Sequence, residues 1–192
     1  MSDKENDFLL IQRFNEGDEV AFNLLLRRYQ QKIYWHARKM TGNHMDADEI
    51  VQEVMLVLFK NLKDFKYQST FSTWLFRIIT TRTLNFLKRR RIKEIFSIHS
   101  SDDNETSGIE NIAGAGSGVA EDLENREKLK VLDRVLKGIP AKQREIFIMR
   151  HFDEMSYEEI SEITGKSIGG LKANYHHAFV KVNELMRRNY EE

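Results

Sequence analysis

Apolar residues recur along this chain at intervals of three and four positions, and runs that alternate apolar and polar residues are scarce. The first spacing places side chains on one face of an α-helix, whereas strict alternation is typical of a half-buried strand. The chain contains a single proline, Pro140, so few positions interrupt a long helix. The sequence therefore predicts an all-α fold.

The N-terminal part of the chain predicts two helices separated by a tight turn. Residues 8–14 form a short helical pattern that ends at Gly17, a residue suited to a left-handed cap. Asp18 is placed to cap the next helix, which we expect to run from about Glu19 to Met40. The cationic residues of this second helix, Arg38 among them, are expected to face the solvent.

Two more helices are predicted before residue 97. One starts at Asp46 and has several carboxylates in its first turns, where negative charge stabilises the helix itself by about 0.3–1 kcal/mol. The other is capped by Thr70 or Ser72, contains Trp74 and ends in a run of basic residues at 88–93. The stretch 46–93 therefore presents acidic, then aromatic, then basic side chains.

This order of side chains suggests two kinds of partner. Acidic residues suit a basic protein, while aromatic residues beside clustered Arg and Lys suit unpaired bases and phosphates. Each aromatic ring also fits a place in the core, and the carboxylates also fit simple stabilisation of their own helix. Because 30 Lys and Arg balance 30 Asp and Glu, any nucleic-acid signal in this chain must be local.

The composition changes at residues 97–121, where Ser, Gly, Asn and Asp dominate. Such a segment buries too little apolar surface to offset its ordering entropy. We therefore expect two helical domains, residues 1–96 and 122–192, joined by a flexible linker at 97–121. We also expect the two domains to pack only loosely in the free protein.

The second domain contains the pattern of a helix-turn-helix. Ser156 and Glu159 predict a capping box that opens a short helix, Gly165 ends that helix, and Ser167 caps a long last helix. Tyr175 belongs to the apolar stripe of the last helix. The opposite face is small, polar or cationic near the helix start, which is the part that a recognition helix inserts into the major groove. The residues of this face are Gly169, Lys172, Ala173, His176, His177 and Lys181.

Several functional classes find no support in the residues. The absence of cysteine excludes disulfides, a thiol nucleophile and a Cys-ligated zinc site. No phosphate-binding Gly-rich loop, nucleophile elbow or metal-ligand spacing is present, so we expect no catalytic residue, no cofactor and no metal. No apolar run approaches the roughly 20 residues of a membrane span, and the first residues lack the apolar core of a signal peptide. We therefore expect a cytoplasmic protein.

Several segments taken together resemble one protein family. They are GDEVAFNLLLRRYQQKIY at 17–34, DADEIVQEVMLVLFKNLKDF at 46–65, STFSTWLFRI at 69–78 with the basic run, and IPAKQREIFIMRHFDEMSYEEISEITGKSIGGLKANYHHA at 139–178. The sequence resembles the extracytoplasmic function (ECF) group of the sigma-70 family, whose members contain sigma regions 2 and 4 and little else. The resemblance implies that residues 1–96 are region 2 and residues 122–192 are region 4. It also implies a bacterial RNA polymerase sigma factor, which directs promoter-specific initiation without covalent chemistry of its own.

The resemblance further implies three groups of site residues. The helix that docks on the clamp coiled coil of the polymerase β′ subunit is matched by Asp46, Asp48, Glu49, Gln52 and Glu53. The part that opens and reads the −10 element is matched by Tyr67, Ser69, Phe71, Trp74, Arg77, Thr81, Asn85, Lys88, Arg89 and Arg90. The part that reads the −35 element as duplex is matched by Arg150, Ser167, Lys172, Ala173, His176, His177 and Lys181.

Two departures from the family pattern bear on DNA recognition. Many relatives have Arg at the positions of Lys172, Asn174 and His177, whereas the last helix here has no Arg before Arg187. Bidentate recognition of guanine by Arg is therefore absent from the reading face. Thr81 stands where relatives often have Asn. We expect the promoter preference to differ from theirs.

The resemblance also implies a set of partners. They are core RNA polymerase, through its β′ clamp and β subunits, promoter DNA, and a regulatory anti-sigma factor. The free protein is expected to be a monomer and to associate with the nucleoid when bound to polymerase. The alternative is a helix-turn-helix regulator that binds operators without polymerase. The acidic helix and the aromatic segment count against it, because a protein that reads only duplex DNA needs neither.

Overall fold

The computed structural model of the protein describes residues 3–98 and 119–190. In these two ranges the chain forms eight α-helices and one 3-10 turn, without any strand, which confirms the predicted all-α fold. The helices are α1 (Asp3–Asn15), α2 (Glu19–Thr41), α3 (His44–Asn61), α4 (Phe71–Ile98), α5 (Val119–Lys137), α6 (Ala141–His151), α7 (Tyr157–Thr164) and α8 (Ile168–Tyr190), and the 3-10 turn is Leu62–Asp64.

Side-chain caps fix the helix starts in the first half of the chain. At the start of α2, Asp18 Oδ1 accepts a hydrogen bond from the backbone N–H of Val20 at 2.9 Å. At the start of α4, Thr70 Oγ1 accepts from the backbone N–H of Thr73 at 3.1 Å, so Thr70 rather than Ser72 is the cap. These bonds satisfy amide groups that a helix leaves unpaired at its N-terminus.

The helices α1 to α4 share one apolar core. Each contributes a fully buried side chain, Ile11, Ile33, Ile50 and Ile79 respectively. Burying a side chain of this size stabilises the fold by about 1.5–3 kcal/mol. The stripes predicted from the three- and four-residue spacing are therefore the faces that pack together.

The helices α7 and α8 form the predicted helix-turn-helix. The capping box is present, since Ser156 Oγ accepts from the Glu159 N–H at 3.1 Å and the Ser156 N–H donates to Glu159 Oε2 at 2.8 Å. Gly165 ends α7 with a φ of 70°, a left-handed conformation that glycine adopts without strain. Ile160 of α7 and Leu171 of α8 are fully buried, which anchors both helices in the core.

The two halves of the chain pack closely against each other along a surface that we call the seam. Across it, Arg38 of α2 donates to both carboxylate oxygens of Asp133 of α5, at 2.8 and 2.7 Å. One continuous cluster of buried apolar residues contains both Phe76 of α4 and Ile163 of α7. The expectation of loosely packed domains is therefore wrong for this structure. The expectation that Arg38 faces the solvent is also wrong, because the residue is only 8% exposed.

More charged groups are buried in the seam. Arg144 of α6 donates to the backbone carbonyl of Met40 in α2, and burial lowers the pKa of its guanidinium. Burial also raises the pKa of the Glu145 carboxyl. His36 is fully buried, with Nδ1 at 2.7 Å from Asp153 Oδ2. Buried charges are costly unless paired, so these contacts favour one specific arrangement of the two halves.

The predicted linker at 97–121 lies mostly outside the described residues. Helix α4 continues to Ile98 and α5 begins at Val119, so both ends of the predicted segment are helical. The interior of the segment lies outside the described residues, and its flexibility stays a prediction.

Asp133→Ala is expected to open the seam. Removing the carboxylate leaves Arg38 largely buried without its partner, and we expect the closed arrangement to lose about 1–3 kcal/mol. The distance between the halves is measured by fluorescence energy transfer between dyes on Asn23→Cys in α2 and Asn183→Cys in α8. Both positions are exposed, and the native chain has no cysteine that would react with the dyes.

The wild-type chain is expected to give one short distance, and Asp133→Ala a second population at longer distance. Glu127→Ala is the matched control, because it removes the same charge from an exposed position on the same helix as Asp133. Identical distance distributions for Asp133→Ala and wild type would show that this ion pair does not hold the halves together.

Candidate protein and nucleic-acid interfaces

The predicted polymerase-binding residues of α3 differ in how far they are exposed to solvent. Glu49 and Gln52 are exposed, and the side chain of Asp48 is 49% exposed, with Oδ2 at 3.3 Å from Nε2 of His44. The side chains of Asp46 and Glu53 are only 18% and 27% exposed. Three of the five residues predicted to dock on polymerase are therefore open to a protein partner, and two are partly covered.

The two covered carboxylates contact the basic end of α4. Arg89 Nη2 donates to Glu53 Oε1 at 2.7 Å, and Arg90 Nη1 donates to Asp46 Oδ2. Residues predicted to bind polymerase therefore contact residues predicted to bind DNA. This is the main feature of the site that the sequence did not reveal.

The aromatic residues near the start of α4 are mostly structural. Phe71 is 2% exposed and packs edge-on against Tyr29 at 5.2 Å between ring centroids. Trp74 is half-buried, with its ring 5.3 Å from that of Phe65 and 5.9 Å from that of Phe71. A ring buried like that of Phe71 has no free face for a base, so the predicted direct contact of Phe71 with DNA does not fit this structure.

Tyr67 is the exposed aromatic residue of this group. Its side chain is 46% exposed, and its backbone is left-handed with a φ of 56°. One side of the ring rests on Phe8 and Phe65, at centroid distances of 5.3 and 4.9 Å. A non-glycine residue with this φ is uncommon, and such strain often accompanies a functional loop. Tyr67 is therefore the aromatic residue best placed to stack on an unpaired base.

A line of exposed polar residues continues from this loop along α4. Arg77, Thr81, Asn85 and Lys88 are spaced by three and four positions and are all exposed. This face can follow a single strand with hydrogen-bonding and cationic groups. Arg77 already has a partner across the seam, because its guanidinium donates to the backbone carbonyl of Glu162 in α7 at 2.9 and 3.1 Å. The closed seam thus occupies one residue of the predicted −10 surface.

The first turns of α8 present the predicted duplex-reading face to the solvent. The buried side of the helix includes Ala178 and half-buried Tyr175, whose ring stacks on Phe147 at 5.7 Å, as expected for a core position. The exposed residues of the opposite face are Ser167, Gly169, Lys172, Ala173, His176 and His177. Helix α8 therefore presents small, polar and cationic groups over its first turns.

Two other predicted −35 residues are held by local contacts. Arg150 donates to the backbone carbonyl of Met155 at 3.0 Å and lies 5.4 Å above the ring of Tyr157. Lys181 pairs with Glu184 at 3.3 Å. Arg150 is thus fixed near the start of α7, while Lys181 marks the end of the exposed face of α8.

A cleft of about 600 Å³ lies along the seam beside the predicted −10 loop. Its first-half wall contains Lys32 and Trp35 of α2 together with Thr70 and Ser72. Trp35 is 44% exposed, and sequence reasoning overlooked it. An aromatic residue and a lysine three positions apart, off the apolar stripe, are a signal that could have found this wall.

Within the described residues no helix is long and apolar enough to cross a membrane. Nor does that part of the chain bring three or more His, Asp or Glu side chains together in a way that could hold a metal ion.

Two packed helical units, the second containing a helix-turn-helix whose last helix has an exposed face, place the protein among helix-turn-helix proteins. Family models identify it more closely. The model of sigma-70 region 2 matches residues 25–92, and the model of sigma-70 region 4 matches residues 129–182. Together they cover well over half of the chain. The chain belongs to the sigma-70 family, and the resemblance seen in the sequence is confirmed.

Curated relatives point to the ECF group of this family. The chain is 28% identical to the ECF RNA polymerase sigma-E factor of Escherichia coli K12, over 98% of this chain and 100% of that protein. It is 27% identical to the ECF RNA polymerase sigma factor SigW of Bacillus subtilis, over 92% of this chain and 95% of that protein. Similarity therefore extends across nearly the full length of both relatives.

Solved structures share the fold. CnrH in complex with the cytosolic domain of CnrY superposes with a TM-score of 0.70 at 20% identity, covering 95% of this chain and 98% of that one. The sigma factor RpoE in complex with the anti-sigma factor NepR from Bartonella quintana superposes with a TM-score of 0.66 at 21% identity, covering 86% of this chain and 96% of that one.

Phe71 and Tyr67 are expected to respond differently to truncation. Phe71→Ala removes a fully buried ring and should lower the free energy of unfolding by about 3–5 kcal/mol. Tyr67→Ala removes a half-exposed ring that makes two aromatic contacts and should cost about 1 kcal/mol. Urea denaturation followed by circular dichroism measures both. Equal losses for the two variants would contradict the division into a structural and an exposed aromatic residue.

Proposed function

We propose that this protein binds core RNA polymerase and directs promoter-specific transcription initiation. In this proposal the first domain docks on the polymerase β′ clamp through α3 and reads the −10 element. The second domain contacts β and reads the −35 element. Nucleotide addition belongs to the polymerase, so the protein itself is no enzyme and needs no cofactor.

One observation carries the proposal. The two parts of the chain that match sigma regions 2 and 4 each expose a surface of the required chemistry. On the first part the surface runs from Tyr67 along α4 to Lys88, with an exposed aromatic ring followed by polar and cationic groups. On the second part it is the face of α8 that contains Lys172 and His176. A regulator that binds only operator DNA would not need the first surface.

We propose that the halves separate when the protein is bound to polymerase. The −10 and −35 elements lie about 25 base pairs apart, or about 85 Å along B-form DNA. Two domains that share one seam cannot lie on both elements at once, and Arg77 is occupied by α7 in the closed form. The 20 residues between Ile98 and Val119 would span at most about 70 Å if fully extended.

We also propose an anti-sigma factor as a regulatory partner. RpoE is bound to an anti-sigma factor in one similar structure, and the fold of this chain supports an equivalent arrangement. The free protein would be a cytoplasmic monomer that associates with the nucleoid when bound to polymerase.

Reconstituted transcription tests the proposal. Purified protein is mixed with sigma-free core polymerase from the source cell and with genomic fragments, and initiation is mapped by primer extension. We expect discrete start sites that depend on the protein, together with co-migration of the protein and core. A protein that gives no specific initiation at any salt concentration, and does not bind core, is not a sigma factor.

The acidic face of α3 is tested by charge reversal. Asp48→Lys with Glu49→Lys is expected to weaken core binding by about tenfold or more, because attraction to a basic partner becomes repulsion. Glu49 is exposed and the side chain of Asp48 is 49% exposed, so the variant should keep its fold. Glu16→Lys with Glu19→Lys alters the net charge equally at exposed positions outside α3. If both variants bind core as wild type does, the carboxylates of α3 serve only their own helix.

A further inference from the structure

The acidic residues of α3 and the basic residues of α4 are direct neighbours, although the partners are 36 and 44 positions apart in sequence. Arg89 donates to Glu53 at 2.7 Å, and Arg90 donates to Asp46. Arg90 also donates through Nε to Glu94 at 3.0 Å. Each arginine therefore has at least one carboxylate against its guanidinium.

These ion pairs involve only some of the acidic residues of α3 and only some of the basic residues of α4. In the acidic group, Asp46 and Glu53 are paired and mostly covered, whereas Glu49 is exposed. In the basic run, Lys88 and Arg91 form no ion pair with any other described residue and are exposed. Two of the four carboxylates of the acidic group are thus paired with two of the five cations at 88–93.

We propose that Asp46 and Glu53 restrain Arg90 and Arg89 in the free protein, and that a partner docking on α3 frees these arginines for DNA phosphates. This inference rests on the proposed function, which gives α3 to polymerase and the end of α4 to the −10 strand. A carboxylate against a guanidinium cancels much of its field and occupies the donors that a phosphate would use.

The exposure of the ion pairs suits an exchange of partners. Arg89 is 56% exposed and Arg90 is 43% exposed, so solvent screens both pairs and makes them weak. Basic groups of a docked protein can compete for the two carboxylates at little cost. Binding couplings are reciprocal, so a DNA strand that takes the arginines leaves the carboxylates freer for polymerase by the same factor.

The test measures how the free protein binds single-stranded DNA. The probe is a fluorescein-labelled oligothymidylate of about 12 nucleotides, followed by fluorescence anisotropy, because phosphate contact does not depend on base identity. Asp46→Asn with Glu53→Gln is expected to raise the affinity about threefold to tenfold at about 50 mM salt, with the gain shrinking as salt rises. Bound core polymerase should remove this difference between variant and wild type.

A charge-matched control separates release of the arginines from a change in net charge. Glu16→Gln with Glu19→Gln makes the same change in net charge at exposed positions outside the interfaces and leaves both ion pairs intact. This control should bind the oligonucleotide within about twofold of wild type. An equal gain in both variants, or a loss of affinity in Asp46→Asn with Glu53→Gln, would overturn the proposal.

A second arm does not depend on the acidic variants. Arg89→Gln with Arg90→Gln should cost the free protein less affinity for the oligonucleotide than Lys88→Gln with Arg91→Gln, which removes the same charge from unpaired positions. In the polymerase-bound protein the two losses should become equal. If the two double variants lose equal affinity for the oligonucleotide already in the free protein, Arg89 and Arg90 are not restrained by the carboxylates. Failure of wild type to bind core would end the proposed function, while the measurements on the free protein would still test the ion pairs.

Discussion

The buried ion pair between Arg38 and Asp133 is one of several buried polar contacts that hold the two halves in a single arrangement. Its partners come from α2 and α5 and meet through two hydrogen bonds. Because both side chains are largely withdrawn from water, neither is stable there without the other. An apolar contact tolerates sliding, but a bidentate pair does not. The pair therefore favours one register, in which α7 lies against α4 and Arg77 reaches the carbonyl of Glu162.

The features that follow from local sequence were predictable. The caps at Asp18 and Ser156 depend on residues within three positions of each other, and their hydrogen bonds are present in the structure. The apolar stripes, including that of Tyr175, depend on spacing along one helix and were also placed correctly. Local pattern is enough for such features because helix geometry fixes which neighbours can meet.

The expectations that the structure corrects all concern residues whose partners are distant in sequence. Arg38 resembles any solvent-facing arginine of α2 until Asp133, 95 positions away, is brought beside it. Asp46 resembles a helix-start carboxylate until Arg90 reaches it from α4. Phe71 was expected to contact DNA, but its ring is buried in the core and has no free face for a base. A single sequence carries little information on such pairings.

The equal numbers of acidic and basic residues in the chain are accompanied by long-range pairings between them. Acidic and basic groups are not merely sorted along the sequence, because the fold returns the basic end of α4 to the acidic start of α3. A free protein whose cations are paired internally attracts nucleic acid weakly, and under the proposed function this would confine DNA binding to the polymerase-bound state. The seam acts in the same direction by holding Arg77 at α7. Opening the seam and docking on α3 would therefore each release cations of the same helix, α4.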